Sequence, residues 1–420
     1  MHIALVTPAY SPLPGGGERY AGALARGLAH NGLQVTVFTS AARVEADFWM
    51  GAKSTYGSEI VDEGNEGIRV IRQPIKPFPG GRPGLMLWRK AMVMLSSLPG
   101  DQSAVLSRMA GLIPPIDGLI NALAAVGDID IVHAFNISWE HGLVTADAFA
   151  HGSRLPLVAT PFAHLGAGKG DRVARNSTMD HQLAILRRAA RVLVLTDVEQ
   201  ADLASYDIPV DRLAVIGGGV DPPPVNDQSA ESETQELPTP YGLFIGRLSA
   251  DKGALHAAEA ICLARRRGCK INLVLVGSTT PDFERYYHHL GPEDRQAILL
   301  WGSVPEEEKH RLLNKASFLM LPSRSDSFGI VVLEAWSHEV PVIAARAGGI
   351  PGVVDEGENG LLVPYGDVAG LAEAVEQLIR DPDRSRQMGA NGRSKVKRQY
   401  NWDSVTQRVL GHYSDILGAR

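Results

Sequence analysis

Residues 318–364 carry the pattern that most restricts how this chain can fold. Two short apolar runs, at 318–321 and 341–345, enclose a polar turn and a helix-like segment, and a glycine turn follows at 360–364. Uninterrupted apolar runs of this length are typical of strands buried on both faces of a parallel sheet. Parallel strands need a crossover, which the helical segment supplies. The pattern predicts an α/β unit with its loops on one edge.

Residues 3–39 repeat this order of elements. An apolar run at 3–7 leads into the glycines at 15–17, then into an amphipathic helical segment and a second apolar run at 34–39. Alternating strands and helices predict an α/β fold with Rossmann-like, doubly wound domains. We predict further strands at 68–72, 129–133, 157–160, 192–195, 213–216, 241–245, 272–276 and 298–301. Thr196 and Glu199 have the spacing of a capping box, which predicts a helix start.

The length of 420 residues is too great for one ordinary core and suggests two domains. Residues 226–240 are polar and acidic without apolar periodicity, which is typical of a linker. We therefore expect a first domain at 1–224, a linker at 225–240 and a second domain at 241–401, with a terminal helix at 402–420 packing back on the first domain. Ligands of open α/β sheets bind beyond the carboxyl ends of the strands, so we expect the domains to face each other across a cleft.

Composition excludes several classes of protein. The net charge of −6 argues against a nucleic-acid partner, because phosphate-binding surfaces need clustered Lys and Arg. The two cysteines, Cys262 and Cys269, fit neither a zinc site nor a disulfide framework and suit a reducing cytoplasm. We expect no signal peptide, since the N-terminus enters a strand directly, and no membrane-spanning helix.

Two loops that follow predicted strands could bind a ligand. Gly16 and Gly17 allow the backbone to approach a ligand closely, and the helix beyond them favours phosphate; a plain tight turn is the alternative. Arg247 and Lys252 lie on one strand-to-helix loop and suit a diphosphate. The alternative for this pair is two solvated surface charges.

A third loop that could bind a ligand lies within residues 318–364. Asp326 is expected on the loop and Glu334 in the following helix, where carboxylates can accept hydrogen bonds from sugar or ribose hydroxyls. The backbone N–H groups of Phe328 and Gly329 are expected to be free to bind an anion. The alternative for Glu334 is a partly buried helix residue paired with a cation.

Two further features concern the reacting sugar and a metal site. His164 follows the predicted strand at 157–160 and could be a polar group at a reacting sugar, although a lone histidine is more often structural. Asp128 and Asp130 match the D-x-D pattern of metal-dependent sugar transfer. They precede a strand instead of following one, so we predict no metal site.

With these residues in place, the chain resembles the retaining glycosyltransferases of family 4, which have the GT-B fold. The resemblance covers nearly the whole chain. It is carried by Pro-Gly-Gly-x-Glu at 14–18, by Gly-Arg-Leu-Ser-x-x-Lys-Gly at 246–253, and by a Pro-Ser-Arg motif at 322–335 that ends in Leu-Glu-Ala.

The resemblance implies roles for these residues. Arg247 and Lys252 would bind the donor diphosphate, and Glu334 would bind the nucleotide ribose. Asp326 stands where the family usually has a Glu that contacts the donor sugar. Gly16, Gly17, Phe328 and Gly329 would face the phosphates or the sugar; His164 would match the family's active-site histidine, with Phe162 at a neighbouring position where some members carry a His.

The implied reaction moves a sugar from an NDP-sugar, UDP- or GDP-linked, to an acceptor hydroxyl with retention at the anomeric carbon. It needs no cofactor and no metal. The implied acceptor is a carbohydrate or a lipid-linked molecule in polysaccharide, glycolipid or other glycoconjugate synthesis. Two alternatives stay open: a sugar-nucleotide epimerase, and a catalytically silent protein that binds sugar nucleotides.

The segment 85–98 is a mostly apolar helix with one Arg-Lys pair. We favour its packing on its own domain. The alternatives are a cover over the acceptor site and a peripheral contact with lipid, which would place a cytoplasmic protein at the inner face of a membrane.

Overall fold

The computed structural model describes residues 1–13, 15–52, 60–62, 67–166, 171–223, 237 and 239–419. The chain divides into two compact units. The first comprises Met1–His164, Gly170–Gly218 and Trp402–Arg420, and the second comprises Leu165–Lys169 and Gly219–Asn401. Most of the predicted linker, 225–236 and 238, lies outside the described residues.

The first unit is built on one sheet. Its described strands are β1 (His2–Val6), β2 (Gln34–Ser40), β3 (Ile60–Asp62), β4 (Ile68–Gln73), β5 (Ile131–Phe135), β6 (Leu157–Thr160), β7 (Arg191–Val194) and β8 (Leu213–Val215). Their order is β3-β4-β2-β1-β5-β6-β7-β8. Neighbouring strands run parallel, except that β3 is antiparallel to β4 at one edge. In β1 every residue is buried, as the continuous apolar run predicted.

Helices connect these strands. Those described in the first unit are α1 (Gly16–His30), α2 (Asp47–Met50), α3 (Gly81–Ser96), α4 (Ser103–Ala110), α5 (Leu119–Ala124), α6 (Glu140–Ser153), α7 (Asp180–Arg188) and α8 (Asp197–Ala204). The predicted capping contact at the start of α8 is present, with the Glu199 N–H donating to Thr196 Oγ1 at 3.0 Å.

The second unit has its own parallel sheet. Its strands are β9 (Tyr241–Ile245), β10 (Asn272–Val276), β11 (Ile298–Gly302), β12 (Phe318–Leu321), β13 (Val342–Ala345) and β14 (Gly360–Val363), in the order β11-β10-β9-β12-β13-β14. Its described helices are α9 (Ala254–Arg266), α10 (Pro281–His289), α11 (Pro292–Ala297), α12 (Glu306–Lys315), α13 (Ile330–Ser337), α14 (Val368–Arg380) and α15 (Pro382–Gln399). The strand order reverses direction at β9, which marks the edge where ligands of such sheets bind.

The last described helix, α16 (Trp402–Gly418), belongs to the first unit. The Trp402 ring lies 5.2 Å from the ring of Tyr20 in α1. The Tyr413 hydroxyl lies 2.6 Å from Nδ1 of the fully buried His133 in β5. Burial lowers the pKa of His133 to about 3, so its ring is neutral where it meets α16.

Both units have the predicted α/β architecture with parallel sheets and interleaved helices, and each has a separate apolar core. None of the helices in the described ranges is both long and apolar enough to cross a membrane.

Candidate active site

The loop after β9 lies against the loop after β12. Gly253 ends the first loop with a φ of 75°, a backbone conformation that favours glycine. A Cβ atom at this position would lie 2.0 Å from the carbonyl oxygen of Pro322. The absence of a side chain therefore allows the two loops to approach closely. Lys252, the residue before Gly253, is brought to the start of α13 in this way.

Lys252 and Asp326 form an ion pair at that position. The Lys252 Nζ lies 2.8 Å from Asp326 Oδ2, and the two side chains are 33% and 19% exposed. The other carboxylate oxygen, Oδ1, accepts a hydrogen bond of 3.2 Å from the Gly329 N–H, at the residue that precedes α13. The ammonium and the backbone donor thus converge on one carboxylate.

This geometry corrects the prediction for Gly329, whose N–H group is not free because it already donates to Asp326. A short acid at the end of a loop readily accepts from the backbone N–H groups that begin a helix. Phe328 is buried at 2% exposure, and its ring packs against the Tyr400 ring at 5.5 Å. Arg247 lies on the exposed part of the β9–α9 loop.

The backbone of Asp326 is fixed by a glycine pair after β13. The Gly349 N–H donates to the Asp326 carbonyl at 2.7 Å. A Cβ atom at Gly348 would lie 2.4 Å from the same carbonyl oxygen. Loops after β9, β12 and β13 therefore meet around one acid, as the carboxyl ends of neighbouring parallel strands allow.

Glu334 lies in α13 and is 8% exposed. Its Oε1 accepts a hydrogen bond of 2.8 Å from Lys309 Nζ, in α12. The cation-paired alternative for Glu334 is therefore present in the structure. Sequence reasoning missed Lys309; the available signal was one lysine directly after three glutamates at the start of an amphipathic helix.

In the first unit, Gly16 and Gly17 form the start of α1. Gly16 is exposed, while a Cβ atom at Gly17 would lie 3.4 Å from the ring of Phe162. Glu18 folds back toward Gly15, and burial raises the pKa of its carboxyl group. Phe162 is packed edge-on against Tyr20 at 5.2 Å. Its side chain is therefore part of the packing beneath the glycine turn.

The loop after β6 carries His164, which is half-buried and whose N–H donates to Ser177 Oγ at 3.3 Å. Glu199 fixes the same loop, because its Oε1 accepts from the Ala163 N–H and its Oε2 from the Leu195 N–H, both at 2.8 Å. Burial raises the pKa of Glu199 to about 7, although the two backbone donors favour the ionised form. The sequence indicated Glu199 only as part of a helix cap.

The D-x-D pair lies at the amino end of β5, and Asp130 Oδ2 accepts a hydrogen bond of 2.8 Å from the His2 N–H. In the part of the chain that the structure describes, no group of three or more His, Cys, Asp or Glu side chains is placed to hold a metal ion.

Two family models match the sequence. "Glycosyl transferase 4-like domain" matches residues 15–219, and "Glycosyl transferases group 1" matches residues 226–395. The chain belongs to the group 1 glycosyltransferases. As a member of that family it is a transferase.

Two relatives of this glycosyltransferase have the names of sugar transferases. The D-inositol 3-phosphate glycosyltransferase of Corynebacterium efficiens is 28% identical, over 100% of this chain and 96% of its own length. The alpha-D-kanosaminyltransferase of Streptomyces kanamyceticus is 28% identical over 55% of this chain and 62% of its own.

Solved structures show the GT-B fold of this glycosyltransferase. Sucrose-phosphate synthase from Thermosynechococcus elongatus matches with a TM-score of 0.72 at 22% identity, over the whole of both chains. HepE from Anabaena, solved with UDP, matches with a TM-score of 0.68 at 17% identity, over 99% of this chain and 100% of that one. The predicted GT-B fold class is confirmed.

Proposed function

We propose that this glycosyltransferase moves a sugar from a UDP- or GDP-linked donor to an acceptor hydroxyl, with retention at the anomeric carbon and without a metal. The observation that carries the proposal is the convergence of Lys252 and the Gly329 N–H on the Asp326 carboxylate. An ammonium and a helix-start N–H that bind a carboxylate are also suited to a phosphate oxygen.

The proposed donor roles are those that the family resemblance implies. Arg247 and Lys252 would bind the diphosphate, with the backbone at Phe328 and Gly329 beside it, and Glu334 would accept from ribose hydroxyls. Asp326 would contact the sugar. Gly16 and Gly17 would leave room for the phosphates and the reacting sugar, and His164 would provide a polar group there.

In the proposed step, the bond between the anomeric carbon and the diphosphate oxygen breaks. The bond from that carbon to the acceptor oxygen forms on the same face, and the acceptor proton moves to the departing phosphate. Negative charge grows on the leaving group, so Arg247 and Lys252 lower the barrier by electrostatic stabilisation. Two cations at a diphosphate also remove the need for a metal.

The test is a transfer assay with UDP-, GDP- and ADP-sugars against a set of acceptors. D-inositol 3-phosphate belongs in the set because relatives carry it in their names, and UDP-glucose belongs among the donors because HepE was also solved with it. We expect transfer with one nucleotide class, an unchanged anomeric configuration by NMR, and full activity in EDTA. Binding of nucleotide sugars without transfer or donor hydrolysis under any condition would refute the transferase reaction.

We further propose that the protein is cytoplasmic and that α3 makes a peripheral contact with anionic lipid at the inner face of the membrane. This contact would bring the enzyme to a lipid-linked acceptor. Leu85 and Met92 pack into the first unit, but large apolar side chains on the opposite side are exposed: Met86 at 55%, Leu87 at 70%, Met94 at 72% and, just beyond the helix, Leu98 at 55%. Arg82 and Lys90 are also exposed on α3, which contains no acid, although the whole chain has a net charge of −6. An apolar stripe in a cationic segment suits an anionic membrane surface.

A further inference from the structure

Lys309 is a lysine buried in the second unit at 6% exposure. Its ammonium lies between two carboxylates: Glu334 Oε1 at 2.8 Å and Glu306 Oε2 at 2.5 Å. The side chains of these acids are 9% and 56% exposed, so the buried partner of Lys309 is Glu334. Removing an ammonium and a carboxylate from water carries a large free-energy cost, which only good mutual geometry offsets.

The ion pair joins two helices that are distant in sequence. Lys309 lies near the start of α12, which follows β11, and Glu334 lies in α13, which follows β12; the two residues are 25 positions apart. Both helices begin beyond the carboxyl ends of parallel strands, the edge at which α/β sheets bind ligands. Lys309 is the fourth residue of α12 and Glu334 the fifth of α13, so the pair lies within about one and a half helical turns of that edge.

The positive charge of Lys309 compensates the negative charge of the buried Glu334 carboxylate. A buried carboxylate needs a compensating cation, and an ionised carboxylate only accepts hydrogen bonds. Hydroxyl groups of a ribose donate to such an acceptor. A hydrogen bond from one side also limits rotation of the carboxylate plane, so Lys309 contributes to the direction of its lone pairs.

We propose that Lys309 is a positioning residue for the nucleoside ribose: its ammonium orients the Glu334 carboxylate that accepts from the ribose hydroxyls. The inference rests on the proposed ribose role of Glu334. It assigns to Lys309 an effect on the discrimination between ribonucleotides and deoxyribonucleotides, which a purely structural lysine would not have.

The experiment compares the dissociation constants of UDP and 2′-deoxy-UDP by calorimetry, with GDP and its 2′-deoxy form as the pair if the enzyme prefers guanine. The wild type is expected to favour the ribonucleotide about tenfold, since an unmatched polar group weakens binding. Lys309→Met should bring this preference below about threefold by weakening the ribonucleotide alone, and Lys309→Arg should give an intermediate value.

The matched control is Lys395→Met. Lys395 is also buried, at 9% exposure, and its Nζ lies 2.7 Å from Asp355 Oδ2 in the same unit. This variant should keep the wild-type preference. A reduced preference in both lysine variants would indicate a general effect of losing a buried cation and would overturn the inference.

The remaining outcomes separate the inference from the function on which it rests. If Lys309→Met keeps the full preference, Lys309 does not orient Glu334, and only the inference fails. If the wild type binds both nucleotides equally, Glu334 does not bind ribose, and the site assignment fails together with the inference. If Lys309→Met does not fold, Lys309→Arg decides: a preference equal to that of the wild type overturns the inference.

Discussion

In the second unit, the side chain of Asp326 contacts two of the groups that we assign to donor binding. Its carboxylate accepts from Lys252 Nζ at 2.8 Å and from the Gly329 N–H at 3.2 Å. The resemblance places a Glu at this position in most of the family, and Asp is one methylene shorter. The shorter side chain contacts the two groups that we assign to the diphosphate. A bound diphosphate would compete with the carboxylate for them and release it toward the sugar.

Asp326→Asn tests this competition at the scale of one residue. We expect turnover to fall at least about tenfold, because an amide oxygen replaces a charged acceptor at the sugar. The UDP dissociation constant should stay the same or fall, because Lys252 loses its internal partner. The pair is partly exposed, so stability should change by about 1 kcal/mol or less. Steady-state kinetics, calorimetry and a thermal melt measure these effects.

Arg346→Ala is the control for Asp326→Asn. It removes a more exposed ion pair of the second unit, in which Arg346 Nη2 lies 2.9 Å from Glu356 Oε2. We expect its turnover and UDP affinity to match those of the wild type. Wild-type turnover in Asp326→Asn would show that Asp326 does not act on the sugar.

At the scale of elements, the site depends on loops that touch through their backbones. Gly253 has a positive φ of 75° and faces the Pro322 carbonyl. A methyl group at this position would push apart the loops after β9 and β12, which carry Lys252 and Asp326. The packing of two loops is therefore a requirement for the ion pair.

Gly253→Ala should destabilise the second unit by about 3 kcal/mol or more, since strain and a backbone clash add. UDP affinity should fall at least about tenfold, because a misplaced ammonium loses its contact. Gly268→Ala is the matched control: its φ is 91°, but a Cβ there meets nothing within 4 Å. It should cost about 1 kcal/mol and leave UDP binding unchanged. Urea unfolding and calorimetry measure both, and equal effects in the two variants would contradict the role of loop packing.

Most strands of both sheets could be predicted because buried parallel strands are short, continuous apolar runs. The pattern did not reveal β3, which has three residues and pairs antiparallel at a sheet edge. The prediction of a glycine turn at 360–364 was wrong, because Gly360–Val363 forms β14 and pairs in parallel with β13. Lys309 and Glu199 could not be assigned from sequence for a different reason. Each acts on a partner 25 or 36 positions away, and which partner it meets depends on how helices and loops pack. The spacing of residues in a motif predicts contacts between residues that are close in sequence. It does not predict contacts between residues that are far apart in sequence.

At the scale of the whole molecule, the proposed membrane contact requires that the exposed apolar side of α3 is the part of the first unit that binds lipid. Replacing Met86, Leu87 and Met94 together by Ser should reduce binding to vesicles containing phosphatidylglycerol at least about tenfold, because each exposed apolar side chain contributes when buried in lipid. Added salt should also weaken binding, since Arg82 and Lys90 act by charge. Cosedimentation measures the bound fraction.

Val210→Ser controls for this experiment, because Val210 is 65% exposed elsewhere on the first unit. It should leave vesicle binding unchanged. If the wild-type protein stays in the supernatant with anionic vesicles at low salt, the exposed stripe of α3 does not bind lipid.

The placement of α16 affects the order in which the two units can complete their folding. The ribosome completes β1 to β8 long before residues 402–418 leave it, and residues 219–401, which form most of the second unit, are translated in between. Until then Tyr20 lacks the Trp402 ring and His133 lacks the Tyr413 hydroxyl. Domains usually fold as they emerge, N-terminal first. In this chain the second unit can fold first, and the N-terminal unit is completed by a segment that is translated after it.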